Sequence, residues 1–269
     1  MNNLITRTIT GVIFVGLIVM SVLLGDYFFL SFFVIIVFFG SYELNVLVME
    51  NSDRAFSIFC SIISSLIFLI AVSGGMFSLP WAEFSYHFII PLLFLVPIAG
   101  LFRGGIPYVK RIGVGILSAV VVAFAFIALA NILILDSGKI ALLAFFCIIW
   151  TYDTFAYLVG IAIGKRRVCE AISPKKSWEG TIGGLVFGIL CAVVFYYFTA
   201  GFSFATWTGY AIVICLFGTL GDYCESMLKR SVDVKDSGKI LPGHGGILDR
   251  FDSAMLAAPF ALLYLHFVL

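Results

Sequence analysis

The densest run of chemistry-bearing residues lies between Ser226 and Asp252. It contains Lys229, Arg230, Lys235, Asp236, Lys239, the Gly243-His244-Gly245-Gly246 turn, Asp249 and Arg250. Lysine and arginine hold phosphate oxygens. Glycines let the backbone turn sharply and bring N–H groups close to an anion. Carboxylates in such a loop repel phosphate unless a cation lies between them. Magnesium fills that place, taking one or two protein carboxylates and completing its shell with water and phosphate oxygens. A solvated charged loop is the plainer alternative, but it calls for neither Gly-His-Gly-Gly nor the acid in the helix before it. That acid is Asp222. Asp222, Glu225, Ser226 and Lys229 fall at i, i+3, i+4 and i+7, on one helical face. A carboxylate at the centre of an apolar span costs about 3 kcal/mol on insertion scales, and such groups face wet cavities. The structural alternative for Asp222 is an ion pair with a nearby lysine.

A second constellation runs from Ser173 to Gly184: Pro174, Lys175, Lys176, Ser177, Trp178 and Glu179 lead into a glycine-bearing helix. The N-terminus of that helix offers unpaired N–H groups to an anion. Gly180, Gly184 and Gly188 form a small-xxx-small stripe, whose alternative explanation is helix packing. A third candidate is Asp153, with Tyr157 and Gly160 at i+4 and i+7. Glu43 beside Tyr42 reads as a helix-end group at the membrane interface. His87 and His266 stand alone and receive no role. Trp81, Trp150, Trp178 and Trp207 fit an interfacial belt.

These groups need elements to hold them, and the composition says which. The 269-residue chain is 62% hydrophobic and only 12% charged, against about 25% charged in an ordinary soluble domain. Its 31 charged side chains cannot clothe a water-facing surface, so the bilayer is the second solvent. A formal charge of +1 excludes a nucleic-acid binder working through a basic surface. Nine apolar segments are predicted to span, near 8–25, 27–48, 56–74, 87–102, 112–135, 140–164, 180–199, 207–228 and 251–269. The fourth carries Pro91 and Pro97, so a kink is expected there. The first follows Arg7 as a signal peptide would, but no small-x-small cleavage site follows, and an uncleaved helix is expected. With nine spans, 15 of the 16 basic residues fall on one side and only Lys139 on the other. The positive-inside rule then places the N-terminus in the cytoplasm. Cys60, Cys147, Cys191 and Cys215 lie in apolar runs without metal-ligand spacing and read as small apolar residues. The expected architecture is all-α and polytopic, a single integral membrane domain over 1–269. Residues 1–140 serve mainly as scaffold, and 150–253 carry the chemistry.

Two basic, glycine-bearing cytoplasmic segments and two deep carboxylates at a membrane surface suit an enzyme that handles a phosphate-rich soluble substrate and a phosphate-headed lipid. A triphosphate and a phosphomonoester together bring roughly five to six negative charges. The stretch Ser226–Asp252 resembles the signature of the phosphatidate cytidylyltransferases (CDP-diglyceride synthetases). So do the Asp153–Tyr157 segment and Ser173–Gly184; residues 1–140 resemble the family mainly in hydropathy, plus Tyr42-Glu43. The resemblance implies that CTP and phosphatidate give CDP-diacylglycerol and pyrophosphate, a step in phospholipid synthesis at the inner membrane. It implies magnesium on Asp222 and Asp249, with a second cation allowed beside it, and a homodimer. On that analogy Lys229, Arg230, Lys235 and Arg250 meet the phosphates, with Asp236 in the same loop. Lys175, Lys176 and Ser177 bind triphosphate or lipid head, and His244, Gly245 and Gly246 shape the nucleotide loop. Asp153 joins the substrate-binding set.

Three rivals compete. A CTP-dependent polyprenol or dolichol kinase would transfer the γ-phosphoryl group instead. A CDP-alcohol phosphotransferase would need an Asp-Gly-x2-Ala-Arg run, which the chain lacks. An ion-coupled transporter using Asp153, Asp222 and Glu225 would need broken helices in two corresponding halves.

Overall fold

Runs of about 20 apolar residues leave the backbone one way to satisfy its N–H and C=O groups in lipid, the α-helix. The computed structural model describes residues 3–49, 53–103, 107–169, 172–199, 201–238, 240–241, 243 and 245–269, without the side chains of 3–7 and 174. Its helices are α1 (Asn3–Leu23), α2 (Asp26–Val48), α3 (Arg54–Met76), α4 (Ser85–Leu101), α5 (Tyr108–Ser118), α6 (Phe124–Ile134), α7 (Gly138–Ile163), α8 (Trp178–Phe198), α9 (Phe204–Ser231) and α10 (Leu248–Val268). A 3-10 turn, Ala82–Phe84, precedes α4, and a π-helical segment, Ala119–Ala123, joins α5 to α6. Among the described residues eight helical stretches are long and apolar enough to cross a membrane, and Thr8–Leu23 adds a shorter one. Every predicted span has its counterpart. Pro91 and Pro97 both lie inside α4, which stays helical through them. Ile13, Tyr27, Phe94, Phe102, Ile161, Phe198 and Phe267 point outward, as lipid-facing side chains do. The protein is an all-α polytopic integral membrane protein with one small addition.

That addition was not predicted. The segment read as a basic turn folds into an antiparallel hairpin of β1 (Arg167–Cys169) and β2 (Ser173–Ser177), with Arg167 opposite Ser177 and Cys169 opposite Ser173.

The packing divides the chain into two compact units, residues 1–134 with 232–251, and residues 135–231 with 252–269. Lipid tails are as apolar as leucine, so close fit rather than hydrophobic exclusion holds helices together. In the first unit α2 buries Phe29, Phe33, Ile36, Val37, Gly40, Leu44 and Leu47, a three-four spacing that makes one inward stripe. Phe126 and Phe251 meet edge-on at 5.0 Å, and Phe33 lies 5.5 Å from Phe126. The α3 face carries Phe56, Cys60, Ile63, Ile67, Phe68 and Val72. Asp53 caps α3 by accepting from Phe56 N at 3.1 Å. Arg111, wholly buried, is held at the helix ends: its Nη1 donates to Arg103 O (2.6 Å) and Gly100 O (3.3 Å), and its Nε lies 3.4 Å from Asp53 Oδ2. Arg103 bonds the other Asp53 oxygen at 2.7 Å.

In the second unit α8 lies flush against α7 and α9. A Cβ on Gly184 would sit 2.8 Å from Tyr152 O and 2.9 Å from Ala156 Cβ, and one on Gly188 2.7 Å from Cys215 Sγ. The glycine stripe is therefore a packing surface, as its alternative explanation held. Phe155 stacks on Phe187 at 3.6 Å, and Phe217 on Phe260 at 3.6 Å. Trp207, expected in an interfacial belt, is instead buried between Phe195 and Phe202. The reason is its place in the first turn of α9, where the Phe202 approach covers it. All six cysteines are free thiols, with Cys60 and Cys215 buried.

Candidate active site

In the second unit the polar face of α9 forms as the helical spacing requires. Ser226 Oγ donates to Asp222 Oδ1 at 3.2 Å, and Lys229 pairs with Glu225 one turn away. Lys176, from β2, pairs with Asp222 through Oδ2 and lies over the Tyr223 ring, 4.6 Å from its centroid. The lysine partner that the structural alternative required is thus Lys176. Asp252 lies within electrostatic reach of Asp222, Glu225 and Asp153. Asp252 thus feels three other carboxylates, two of which are paired with ammonium groups.

The hairpin that carries Lys176 is fixed from α8. Ser177 is buried and caps that helix, its Oγ accepting from Gly180 N at 3.1 Å. The Glu179 carboxylate accepts from Lys165 N (3.1 Å) and Arg166 N (3.2 Å). Arg167 Nη1 donates to Lys175 O at 3.0 Å, while the Lys175 side chain is exposed. Asp153 and Tyr157 are exposed on α7. Its buried tyrosine is Tyr152, whose Oη lies 2.6 Å from Thr219 Oγ1 on α9. Nothing in the sequence separates Tyr152 from Tyr157, because only the packing of α7 on α9 chooses the face. Tyr152, Trp178, Thr181, Leu216, Thr219 and Tyr223 line an apolar cavity of about 280 Å³.

In the first unit the loop before α10 closes around Asp249. Its Oδ2 accepts from Ser237 N (2.9 Å), Ser237 Oγ (3.0 Å) and Gly246 N (2.8 Å). Leu241 N donates to Gly245 O at 3.0 Å, closing a tight turn. Gly243 (φ 78°) and Gly245 (φ 85°) adopt left-handed backbone there, which glycine takes without strain. A Cβ on Gly245 would also lie 2.5 Å from Asp249 Oδ2. Lys235, Asp236 and Arg250 are exposed in this unit, as Arg230 is in the other. His244, expected to shape the loop, lies outside the described residues.

Glu43 is a correction. It is not an exposed helix-end group but a buried one: it is 3% exposed, and its Oε2 accepts from Leu248 N (3.0 Å) and Ser237 Oγ (3.2 Å). A carboxylate inside an apolar helix was the available signal; its loop partners, about 200 residues away, were not.

Among the described residues no three His, Cys, Asp or Glu side chains converge as a metal-binding group. Magnesium needs no such group, since phosphate and water complete its shell. The donors present are carboxylate oxygens, the hard ligands it prefers. The carboxylates around Asp222 outnumber the lysines that pair with them. On that chemistry the residues fit a divalent cation.

A sequence model described as the Cytidylyltransferase family matches residues 5–268. Similar curated proteins include the phosphatidate cytidylyltransferase of Staphylococcus aureus (strain COL), 49% identical over 116 residues, or 42% of this chain and 44% of that protein. Those of Haemophilus influenzae (strain ATCC 51907) and Bacillus subtilis (strain 168) carry the same name. The first is 42% identical over 137 residues, 49% of this chain and 48% of the relative. The second is 40% identical over 152 residues, 56% of each. The chain spans about half the length of the curated relatives it matches.

Proposed function

Because the chain belongs to the cytidylyltransferase family, we propose that it transfers the cytidylyl group of CTP to phosphatidate. An oxygen of the phosphatidate phosphomonoester attacks the α-phosphorus of CTP. The bond from that phosphorus to the oxygen bridging to the β-phosphorus breaks, and pyrophosphate leaves with the electron pair. The product is CDP-diacylglycerol. The names of the relatives support these substrates. The observation that carries the reading is the family match over residues 5–268; beside it, the Lys176–Asp222 pair brings together an ammonium and a carboxylate from different elements, β2 and the C-terminal half of α9.

The attacking phosphate is ionised at neutral pH, its second pKa being about 6, so it needs little base catalysis. What the reaction needs is alignment and neutralisation of two repelling anions. An ammonium has three donors. Lys176 commits one to Asp222 and has others to offer a phosphate oxygen, while Lys229 pairs with Glu225 on the same helical face. Lys175 and Arg230 in the second unit, and Lys235 and Arg250 in the first, add exposed positive charge. The apolar cavity that shares Tyr223 with Lys176 suits the hydrocarbon portion of a lipid beside its phosphate. Asp222 and Asp249 are the residues we assign to magnesium, with a second cation allowed beside it; bound there, the metal would act as Lewis acid and template. The basic-residue asymmetry supports a cytoplasmic N-terminus and active site in the inner membrane. A homodimer is part of the same proposal.

The test is purified protein in detergent with phosphatidate, magnesium and CTP labelled at the α-phosphorus. Label in the lipid with release of pyrophosphate is expected. Label retained in CDP, with an unlabelled phosphorylated lipid, would instead mean γ-phosphoryl transfer and end the proposal.

A further inference from the structure

We propose that Glu43 is a positioning residue for Asp249: its carboxylate, carried on α2, is the post around which the 237–248 loop is wound. The inference rests on the functional reading above only in assigning Asp249 a part in the reaction. The winding itself stands on geometry within one compact unit.

Six contacts make the case. Glu43 Oε2 accepts Leu248 N at 3.0 Å, just before the first turn of α10 is established, and Ser237 Oγ at 3.2 Å on the far side of the loop. Ser237 in turn gives its N–H and hydroxyl to Asp249 Oδ2 at 2.9 and 3.0 Å. One serine therefore bridges two carboxylates. Its single hydroxyl proton can serve one of them at a time, while its N–H stays on Asp249. The glycines supply the other two contacts. A Cβ on Gly238 would overlap Glu43 Oε1, and one on Gly246 would overlap Glu43 Oε2 and Ser237 Oγ. Neither glycine has the positive φ of Gly243 or Gly245. Gly238 and Gly246 are glycines because Glu43 occupies the space a side chain would need.

A stability role alone explains this poorly. Burying a carboxylate is costly unless it is well paired. Glu43 Oε1 is buried and has no hydrogen-bond partner among the described residues, and no Lys or Arg ion pair to Glu43 is found among them. An apolar residue would pack α2 at less cost. What an apolar residue cannot do is accept two bonds from a loop that has little regular structure of its own beyond the Leu241–Gly245 bridge. A long helix packed against α3 thereby lends its rigidity to Asp249.

The test uses the full chain in detergent. Glu43→Ala keeps the Cβ and removes both acceptors. Amide hydrogen exchange over 237–248 should then speed roughly tenfold or more, with α2 and α3 unchanged. In cytidylyl transfer kcat should fall roughly 10- to 100-fold while KM for CTP moves less than about threefold. Glu43→Gln, whose amide oxygen can still take the Leu248 N–H, should recover part of both. Gly238→Ala gives an independent check. It should damage loop protection in the native background, yet add nothing once Glu43→Ala has removed the atoms it strikes. Native-like exchange over 237–248 in Glu43→Ala, or fully additive effects of Glu43→Ala and Gly238→Ala, would overturn the proposal. Should Glu43→Ala not fold, Glu43→Gln and Gly238→Ala decide it by the same exchange measurement. Absence of cytidylyl transfer in the unaltered protein would sink the functional reading and leave the exchange arms to judge the anchor by themselves.

Discussion

Neutralising the Lys176–Asp222 pair one member at a time, and then both together, separates a group that works from a group that merely holds the fold. The two side chains are 30% and 25% exposed. Opposite unit charges at 4 Å attract by about 4 kcal/mol at an effective dielectric near 20. Desolvation and the order imposed on the lysine offset much of that. Exposed pairs net about 0–1 kcal/mol, and breaking a buried pair costs about 3–5. This pair stands between, so Lys176→Met or Asp222→Asn should destabilise by about 1–3 kcal/mol. That lowers Tm by roughly 2–10 °C for a protein of this size. The double variant leaves no charge stranded and should recover Tm to within a few degrees. Activity should behave otherwise. Removing a group that stabilises developing charge costs roughly 10²–10³ in kcat, and restoring neutrality does not restore that group. The expectation is a double variant with near-native Tm and turnover still reduced roughly a hundredfold or more. Tm is read by fluorescence-detected size exclusion in detergent, and turnover by label transfer from CTP to phosphatidate. Turnover that returns in step with Tm would refute the reasoning and make the pair a fold element only.

Three further outcomes are expected. Arg111→Met should strand Asp53 with Arg103 alone and leave the Gly100 and Arg103 carbonyls without their donor, lowering stability by about 2–4 kcal/mol, with kcat of the surviving folded fraction unchanged. Gly184→Leu should drive its side chain into the α7 backbone at Tyr152; a cost above about 3 kcal/mol is expected, seen as loss of the monodisperse peak, whereas Gly16→Leu, with open space around it, should be tolerated. Single cysteines introduced in 165–169 and 233–238 of a cysteine-free background should react with an impermeant maleimide only after the cytoplasmic face is opened; labelling of both from outside would invert the proposed topology.

The membrane architecture was legible because hydropathy alone dictates helices in lipid: each predicted span has a helical counterpart, and most ends agree within a few residues. The shared face of Asp222, Glu225, Ser226 and Lys229 was legible too, since helical spacing is local. What stayed hidden was long-range. Lys176 lies 46 residues from Asp222 and Glu43 lies 194 from Ser237, and no local pattern announces such partners. The hairpin escaped because β1 has three residues, too few for alternation to register. Tyr157 and Tyr152 look alike in sequence, and Trp207 looks interfacial until Phe195 and Phe202 cover it.

The hairpin has a consequence for how this protein can fail. A two-stranded ribbon of that length is marginal by itself. It is kept in shape by Glu179, which holds the amides of Lys165 and Arg166 from the first turn of α8. The reach of Lys176 is thereby delegated to a residue that no phosphate need ever touch. Damage at Glu179 would, from a distance, shift Lys176 away from Asp222, and a survey confined to that pair would overlook the culprit.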